Sequence, residues 1–131
     1  MPANFDYIPA MLGRFCDAWQ TNDGAAVASF YTQDSSLINP FGERADGRDA
    51  IAAMYTRYYG GLLAGTGTVI EQQTVRYVEG YHAFVDANQA VVDLAGNTVL
   101  TLHVALLLRL EDDRWMIVDA RPYAYAAPPV G

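Results

Sequence analysis

Two histidines, one cysteine and no lysine leave this chain few groups suited to acid–base or nucleophilic work. His103 is the stronger proton-transfer candidate, because imidazole titrates near neutral pH. It alternates with Thr101 and Arg109 on one face of an extended run, Thr98–Glu111. A histidine there is either a catalytic acid/base or a buried or interfacial imidazole bonded to a neighbour. Asp119 and Arg121 lie two apart in the last extended run, Arg114–Tyr123. In a suitable register Asp119 would orient and activate His103, which makes these two the catalytic candidates. An ion pair between Asp119 and Arg121, or across a dimer, accounts for the same residues. His82 falls in a turn and is expected to be exposed.

A second set suits ligand binding. Asn39 precedes Pro40 and can hydrogen-bond through either end of its amide, or serve the backbone of the turn it introduces. Tyr31, Tyr55 and Tyr58 fall on inward helix faces, where phenols suit a pocket that is apolar in body and polar at points. Core packing with a satisfied hydroxyl is their other role. Trp19 and Phe41 are candidate apolar walls. Cys16, beside Phe15 and Trp19 in a helical pattern, reads as a buried, inert thiol.

Other chemistries are set aside by what is missing from the sequence. There is no His-x-x-x-His spacing or cysteine cluster for zinc. No glycine-rich motif joins a strand to a helix, and there is no Gly-x-Ser-x-Gly elbow. No cofactor or metal is expected. The net charge of −7, with eight scattered arginines as the whole basic complement, makes nucleic acid and anionic membrane poor partners. Met1–Ala10 lacks the pattern of a signal peptide, and Val99–Leu110 is too short and interrupted to span a bilayer. Cytoplasm is the expected location. A length of 131 residues with 52% hydrophobic content suits one domain with a real core.

The elements that must position these residues follow from apolar spacing. Ile8, Leu12, Phe15 and Trp19 mark one helix face. Thr21-Asn22-Asp23-Gly24 stops that helix and caps a short second one, Gly24–Tyr31. Ser35–Asn39 reads as extended, and Pro40-Phe41-Gly42 turns the chain. Asp46 or Asp49 can cap a third helix with Ile51, Met54, Tyr55, Tyr58 and Leu62 on one face, ended by Gly60-Gly61. From Thr68 the period changes to two. The runs Val69–Glu79, Ala83–Leu94, Thr98–Glu111 and Arg114–Tyr123 are joined by short turns and must be antiparallel neighbours. In the third run Leu100, Leu102, Val104, Leu106, Leu108 and Leu110 share a face. The face of Thr101, His103, Ala105, Leu107 and Arg109 is itself semi-apolar. The last run sets Trp115, Ile117 and Tyr123 against Met116, Val118 and Ala120. Two apolar faces predict a sheet covered on both sides, by helices on one and a second copy of the chain on the other. A homodimer through the sheet is the inference.

This order resembles the cone-shaped fold of the nuclear transport factor 2 superfamily, in its SnoaL-like branch. The similarity rests on Trp19-Gln20-Thr21-Asn22-Asp23 through Phe30-Tyr31, on Asp34 through Gly42, on Asp46-Gly47-Arg48-Asp49-Ala50-Ile51, and on Asp113 through Val118. The resemblance implies an α+β fold in which a cone-shaped, curved antiparallel sheet wraps around three N-terminal helices. It also implies frequent homodimers and a cavity between sheet and helices. The superfamily holds ketosteroid isomerases, polyketide cyclases, dehydratases, epoxide hydrolases and pure binding or assembly modules. The isomerases' proton-shuttling Asp corresponds here to Asn39, their oxyanion-stabilising acid to Leu106, and their first-helix Tyr to Gly13 or Arg14. An amide is no carboxylate base, so ketosteroid isomerase activity is not expected.

Two functions stay open at this point. One is a small-molecule-binding protein performing cofactor-free proton transfer (isomerisation, dehydration or cyclisation) on a small apolar, polyketide-like or steroid-like substrate. The other is a non-catalytic ligand-binding or dimeric assembly module.

Overall fold

Ile8, Leu12, Phe15 and Trp19 do share an interior face: helix α1 (Ile8–Gln20) leaves none of them more than 5% exposed. The structure is a computed structural model describing residues 7–129, apart from the Gln72 side chain. The signal-peptide expectation for Met1–Ala10 therefore lies largely outside the described residues, as does the end of the Ala124–Gly131 tail. Among the described residues no helix is long and apolar enough to cross a membrane.

Pro9 sits in the first turn of α1, where its missing N–H leaves no bond unmade. Asp23 then caps α2 (Gly24–Ala28), its carboxylate accepting from the Ala25 and Ala26 amides at 3.0 and 3.4 Å. This helix is shorter than the spacing predicts. The Ser29 hydroxyl donates back to the Ala26 carbonyl at 2.6 Å, and Tyr31 opens strand β1 (Tyr31–Ile38). Strand β2 (Arg44–Asp46) follows, then helix α3 (Arg48–Tyr59). Neither Asp46 nor Asp49 caps α3. Gly47 stands at its start with φ 91° and donates to the Ser35 carbonyl at 2.6 Å, while Asp46 is paired with Arg44. A positive φ at that tie point is what glycine supplies without strain.

Strands β3 (Gly67–Tyr77), β4 (His82–Val92), β5 (Thr98–Glu111) and β6 (Arg114–Tyr123) complete the chain. The six strands form one curved sheet in the order β2-β1-β6-β5-β4-β3. All pairings are antiparallel except β1 with β6, so within the expected antiparallel cone one pair is parallel. The long path from β1 to β6 makes that geometry possible.

The concave side of the sheet is the leucine-rich one. Leu102, Val104, Leu106 and Leu108 of β5 are buried beneath the helices, while His103, Ala105, Leu107 and Arg109 are half-buried on the convex side. In β6 a bulge interrupts the alternation. Leu107 faces Asp119 and Leu108 faces Ile117, leaving Val118 as the extra residue. Trp115 and Ile117 before it, and Ala120 after it, therefore all turn inward. Asp119 and Arg121 go to the convex side, away from the face of Trp115 and Ile117 where simple alternation puts them. Cys16 is a free thiol, half-buried where the sequence suggested full burial, and burial pushes its pKa up from the ordinary value.

Candidate ligand pocket

The concave face and the two longer helices enclose a cavity of about 70 Å³, which opens beside the β1–β2 turn. Trp19 of α1, Met54 of α3, Leu37 of β1 and Leu100 and Leu102 of β5 form its apolar body. Phe41 and Leu62 stand at its mouth and are 57% and 46% exposed. Its polar points are Asn39, Tyr55, Tyr58 and Gln89. A smaller cavity of about 20 Å³ lies deeper in the cone and includes Tyr31, Val104 and Leu106. Leu37, Tyr55, Gln89 and Pro122 border both spaces.

Trp19 is set edge to face against its aromatic neighbours. Trp19 meets Tyr55 at 5.4 Å between ring centroids and 80° between planes, and meets Tyr59 at 6.0 Å and 84°. Each buried polar end is satisfied locally. The Trp19 indole N–H donates to Thr66 Oγ1 at 3.1 Å, and the Tyr59 hydroxyl donates to the Trp19 carbonyl at 3.1 Å. Tyr31 and Tyr55 share a hydrogen bond of 3.2 Å between hydroxyls. One of the two donates in that bond, so the other keeps its proton for a further partner. Burial pushes the Tyr31 phenol up to about 12 and raises Tyr55 well above its ordinary value, so both are neutral donors at physiological pH.

Asn39 serves the backbone of the turn and also bonds a side chain of the cavity wall. Its side-chain oxygen accepts from the Phe41 and Glu43 amides, both at 3.0 Å, which builds the turn. Its amide nitrogen points the other way and donates to Tyr58 Oη at 3.3 Å. Tyr58 Oη in turn donates to Glu43 Oε1, and Phe41 stacks on the Tyr58 ring at 6.1 Å and 26°. Tyr58 thus joins the aromatic mouth to the carboxylate of the turn.

The structure brings Trp19, Asn39, Phe41, Tyr55 and Tyr58 to the larger cavity and Tyr31 to the smaller one. His103 and Asp119 are not there. They share the convex face, but His103 lies opposite Tyr123 and Asp119 opposite Leu107. Four residues of strand separate them, about 13 Å, too far for a hydrogen bond. His103 Nδ1 instead pairs with Asn88 Oδ1 at 2.9 Å, and its ring stacks on Tyr125 with centroids 3.5 Å apart. Asp119 pairs with Arg121 at 3.4 Å, and Arg121 also donates to the Ser36 carbonyl and hydroxyl, each at 3.1 Å. These are the structural roles left open above for both residues.

Gln89 and Glu43 are absent from the residues picked out by type and spacing. Gln89 is 6% exposed and occupies the inward phase of β4 after Ala83, Val85 and Ala87. Its amide donates to Thr68 Oγ1 at 3.0 Å. A glutamine in an otherwise apolar inward phase is a signal legible once the inward face is known. Glu43 carried no such mark, because turns are commonly acidic.

Comparison with known proteins agrees with this fold. The family described as the SnoaL-like domain matches residues 12–118. A steroid Δ-isomerase of Nocardioides simplex is 36% identical over 78 residues, 59% of this chain and 59% of that enzyme. The match therefore spans less than two thirds of the relative's length. A cystatin-like-fold domain from Nostoc punctiforme superposes with a TM-score of 0.80 at 21% identity, covering 92% of this chain and 76% of that one. A nuclear transport factor 2-like protein from Shewanella oneidensis superposes at 0.72 with 26% identity, covering 89% and 96%.

Proposed function

Since the chain belongs to the SnoaL-like domain family, whose members bind small molecules, we propose that its cavity holds a slim, largely apolar molecule carrying at least one hydrogen-bonding oxygen. The observation that carries this reading is the convergence of Tyr55, Tyr58, Asn39 and Gln89 on a space otherwise walled by apolar side chains. Tyr55 is the natural donor to a ligand carbonyl, because its bond to Tyr31 leaves a proton for the cavity when Tyr31 donates. A cavity of about 70 Å³ is narrow. A flat ligand enters with small displacements of Phe41 and Leu62, whereas a bulky one requires the mouth to open.

Native mass spectrometry of the purified protein, repeated after mild unfolding, tests this directly. Release of a co-purified apolar compound supports the reading. Leu102→Trp is expected to fill the cavity and lower ligand affinity at least tenfold while the fold survives. Affinity unchanged in that variant would place the ligand elsewhere.

The steroid Δ-isomerase relative does not extend its reaction to this chain on residue grounds. Asn39 cannot replace a carboxylate base, and Leu106 offers no acid to an oxyanion.

The convex face is proposed to pair two copies of the chain. What supports it is the half-buried, semi-apolar surface of Ala105, Leu107 and His103, which none of the described helices covers. His103→Ala is expected to weaken the dimer in analytical ultracentrifugation by about tenfold and to leave ligand affinity unchanged. A variant that stays dimeric but loses ligand would return His103 to the binding site.

A further inference from the structure

A third cavity, of about 150 Å³, lies where the first turns of α1 meet the end of α2 and the start of β6. It shares no lining residue with the two cavities inside the cone. Met11 and Arg14 reach it from α1, three residues apart and so on one helix face. Phe30 reaches it from the link between α2 and β1, and Arg114, Trp115 and Met116 reach it from the first residues of β6. The frame is fixed, because the Ile117 N–H donates to the Phe30 carbonyl at 2.8 Å where β1 begins its parallel pairing with β6. Met11 and Trp115 are buried, Phe30 and Met116 are half-buried and both arginines are exposed. An apolar floor thus carries a cationic rim.

That rim is unusual in a chain of net charge −7. Elsewhere carboxylates hold Arg44, Arg57, Arg109 and Arg121, the Tyr31 carbonyl holds Arg48, and Arg76 lies over the Phe84 ring. Here two guanidinium groups from separate elements come to one cavity, and among the described residues lining it there is no carboxylate. We propose that this cavity is a second binding site, which takes a monocyclic aromatic carboxylate with its ring on the apolar floor and its carboxylate between Arg14 and Arg114. The site stands apart from the cone pocket and uses none of its residues.

Size, floor and rim each narrow the ligand. A cavity of about 150 Å³ accommodates one benzene-sized ring, which leaves no room for a polycyclic skeleton. The thioethers of Met11 and Met116 and the rings of Phe30 and Trp115 favour a flat aromatic face over an aliphatic chain. The planar fork of a guanidinium matches the two oxygens of a carboxylate and stays charged at every physiological pH. No bond forms or breaks at this site. Its one hydroxyl, that of Ser29, is already donating to the Ala26 carbonyl at 2.6 Å.

The test is a titration of the isotope-labelled protein with sodium benzoate, read by NMR on its two tryptophan indole N–H signals. Trp115 lines this cavity and Trp19 the cone pocket, so the two signals report the two sites separately. Benzoate is expected to shift the Trp115 signal saturably and to leave the Trp19 signal in place. Benzamide keeps the shape without the charge and is expected to bind at least about tenfold more weakly. Cyclohexanecarboxylate keeps the charge without the aromatic face and should lose roughly threefold. Arg114→Gln should weaken benzoate at least about tenfold, and Arg114→Lys, which keeps the charge but not the fork, should fall between it and the parent. Arg114 is exposed, so both variants should fold, which an unshifted Trp19 signal checks. A Trp115 signal unmoved by benzoate up to about 10 mM, the weak limit for so small a ligand, overturns the site. Benzoate affinity unchanged in Arg114→Gln overturns the carboxylate contact on which the proposal stands. An equal response to inorganic phosphate overturns the ligand class in favour of a plain anion site. Movement of the Trp19 signal alone overturns this inference and supports the cone pocket instead.

Discussion

Gly24→Ala is expected to lower the unfolding free energy by about 3 kcal/mol, the upper end of what overpacking a well-filled interior costs. Gly24 is the first residue of α2, where that helix crosses α3. A Cβ there would lie 2.4 Å from Thr56 Oγ1, 2.6 Å from the Ala52 carbonyl oxygen and 2.8 Å from the Thr56 amide nitrogen. Two of these three atoms are backbone, and the third is held by its own bond to the Ala52 carbonyl at 2.8 Å. None can swing aside, so the helices must separate. Gly13 is the control. A Cβ on that exposed position of α1 meets nothing within 4 Å, so Gly13→Ala is expected to stabilise by roughly 0.5–1 kcal/mol through helix propensity alone. Urea unfolding of the two variants beside the parent gives opposite shifts in midpoint if the packing argument holds. Equal midpoints for Gly24→Ala and the parent would show that the contact between α2 and α3 is slack.

The same contact bears on the pocket, because α3 supplies Met54, Tyr55 and Tyr58 to the cavity. Displacing α3 from α2 moves the helix that carries the phenols away from the sheet residues opposite them. Ligand affinity in Gly24→Ala should therefore fall along with stability, although no atom of Gly24 touches the cavity.

What could be read in the sequence depended on whether period alone set the geometry. The face of α1 was legible because Ile8, Leu12, Phe15 and Trp19 repeat at helical spacing and nothing interrupts them. Strands β5 and β6 appear with the boundaries their alternation predicts. The phase of β6 was not legible, since period-two alternation assumes no extra residue and the bulge at Val118 inserts one. The same limit governs His103. Alternation divides β5 into two faces but does not say which the helices cover, and both faces carry apolar residues. The choice is made by long-range packing of α1 against the leucine-rich side. Tyr31 moved from helix to strand for a local reason, because the Asp23 cap starts α2 so close to the Ser29 back-bond that one turn is all that forms. Glu43 shows the converse. Its place in a turn is plain from Pro40-Phe41-Gly42, yet its contact with Tyr58 arises only when α3 packs across β1, 15 residues further along the chain.

Stability is expected to hold through neutral pH and to fall steeply as pH rises from about 10 towards 12, the window set by the buried phenols. In the unfolded chain a tyrosine loses its proton near ~10. In the folded protein burial holds Tyr31 up to about 12, and Tyr55 and Tyr59 are likewise raised, with burial the largest cause in each. Between those limits the native state binds more protons than the unfolded state, so each further pH unit favours unfolding. Below ~10 both states are protonated and the advantage of the native state is intact. With two units at ~1.4 kcal/mol each, Tyr31 alone accounts for roughly 3 kcal/mol of that loss. Urea midpoints measured across the alkaline range, with phenolate absorbance followed in the same samples, separate the contributions. Tyr31→Phe removes one of these protons and should flatten the slope by about one proton's worth, at the cost of the bond to Tyr55. A slope identical in Tyr31→Phe and the parent would mean that the Tyr31 phenol is not held out of water. That result would also show that the hydrogen bond Tyr55 shares with Tyr31 is open to water, because the two hydroxyls form one pair.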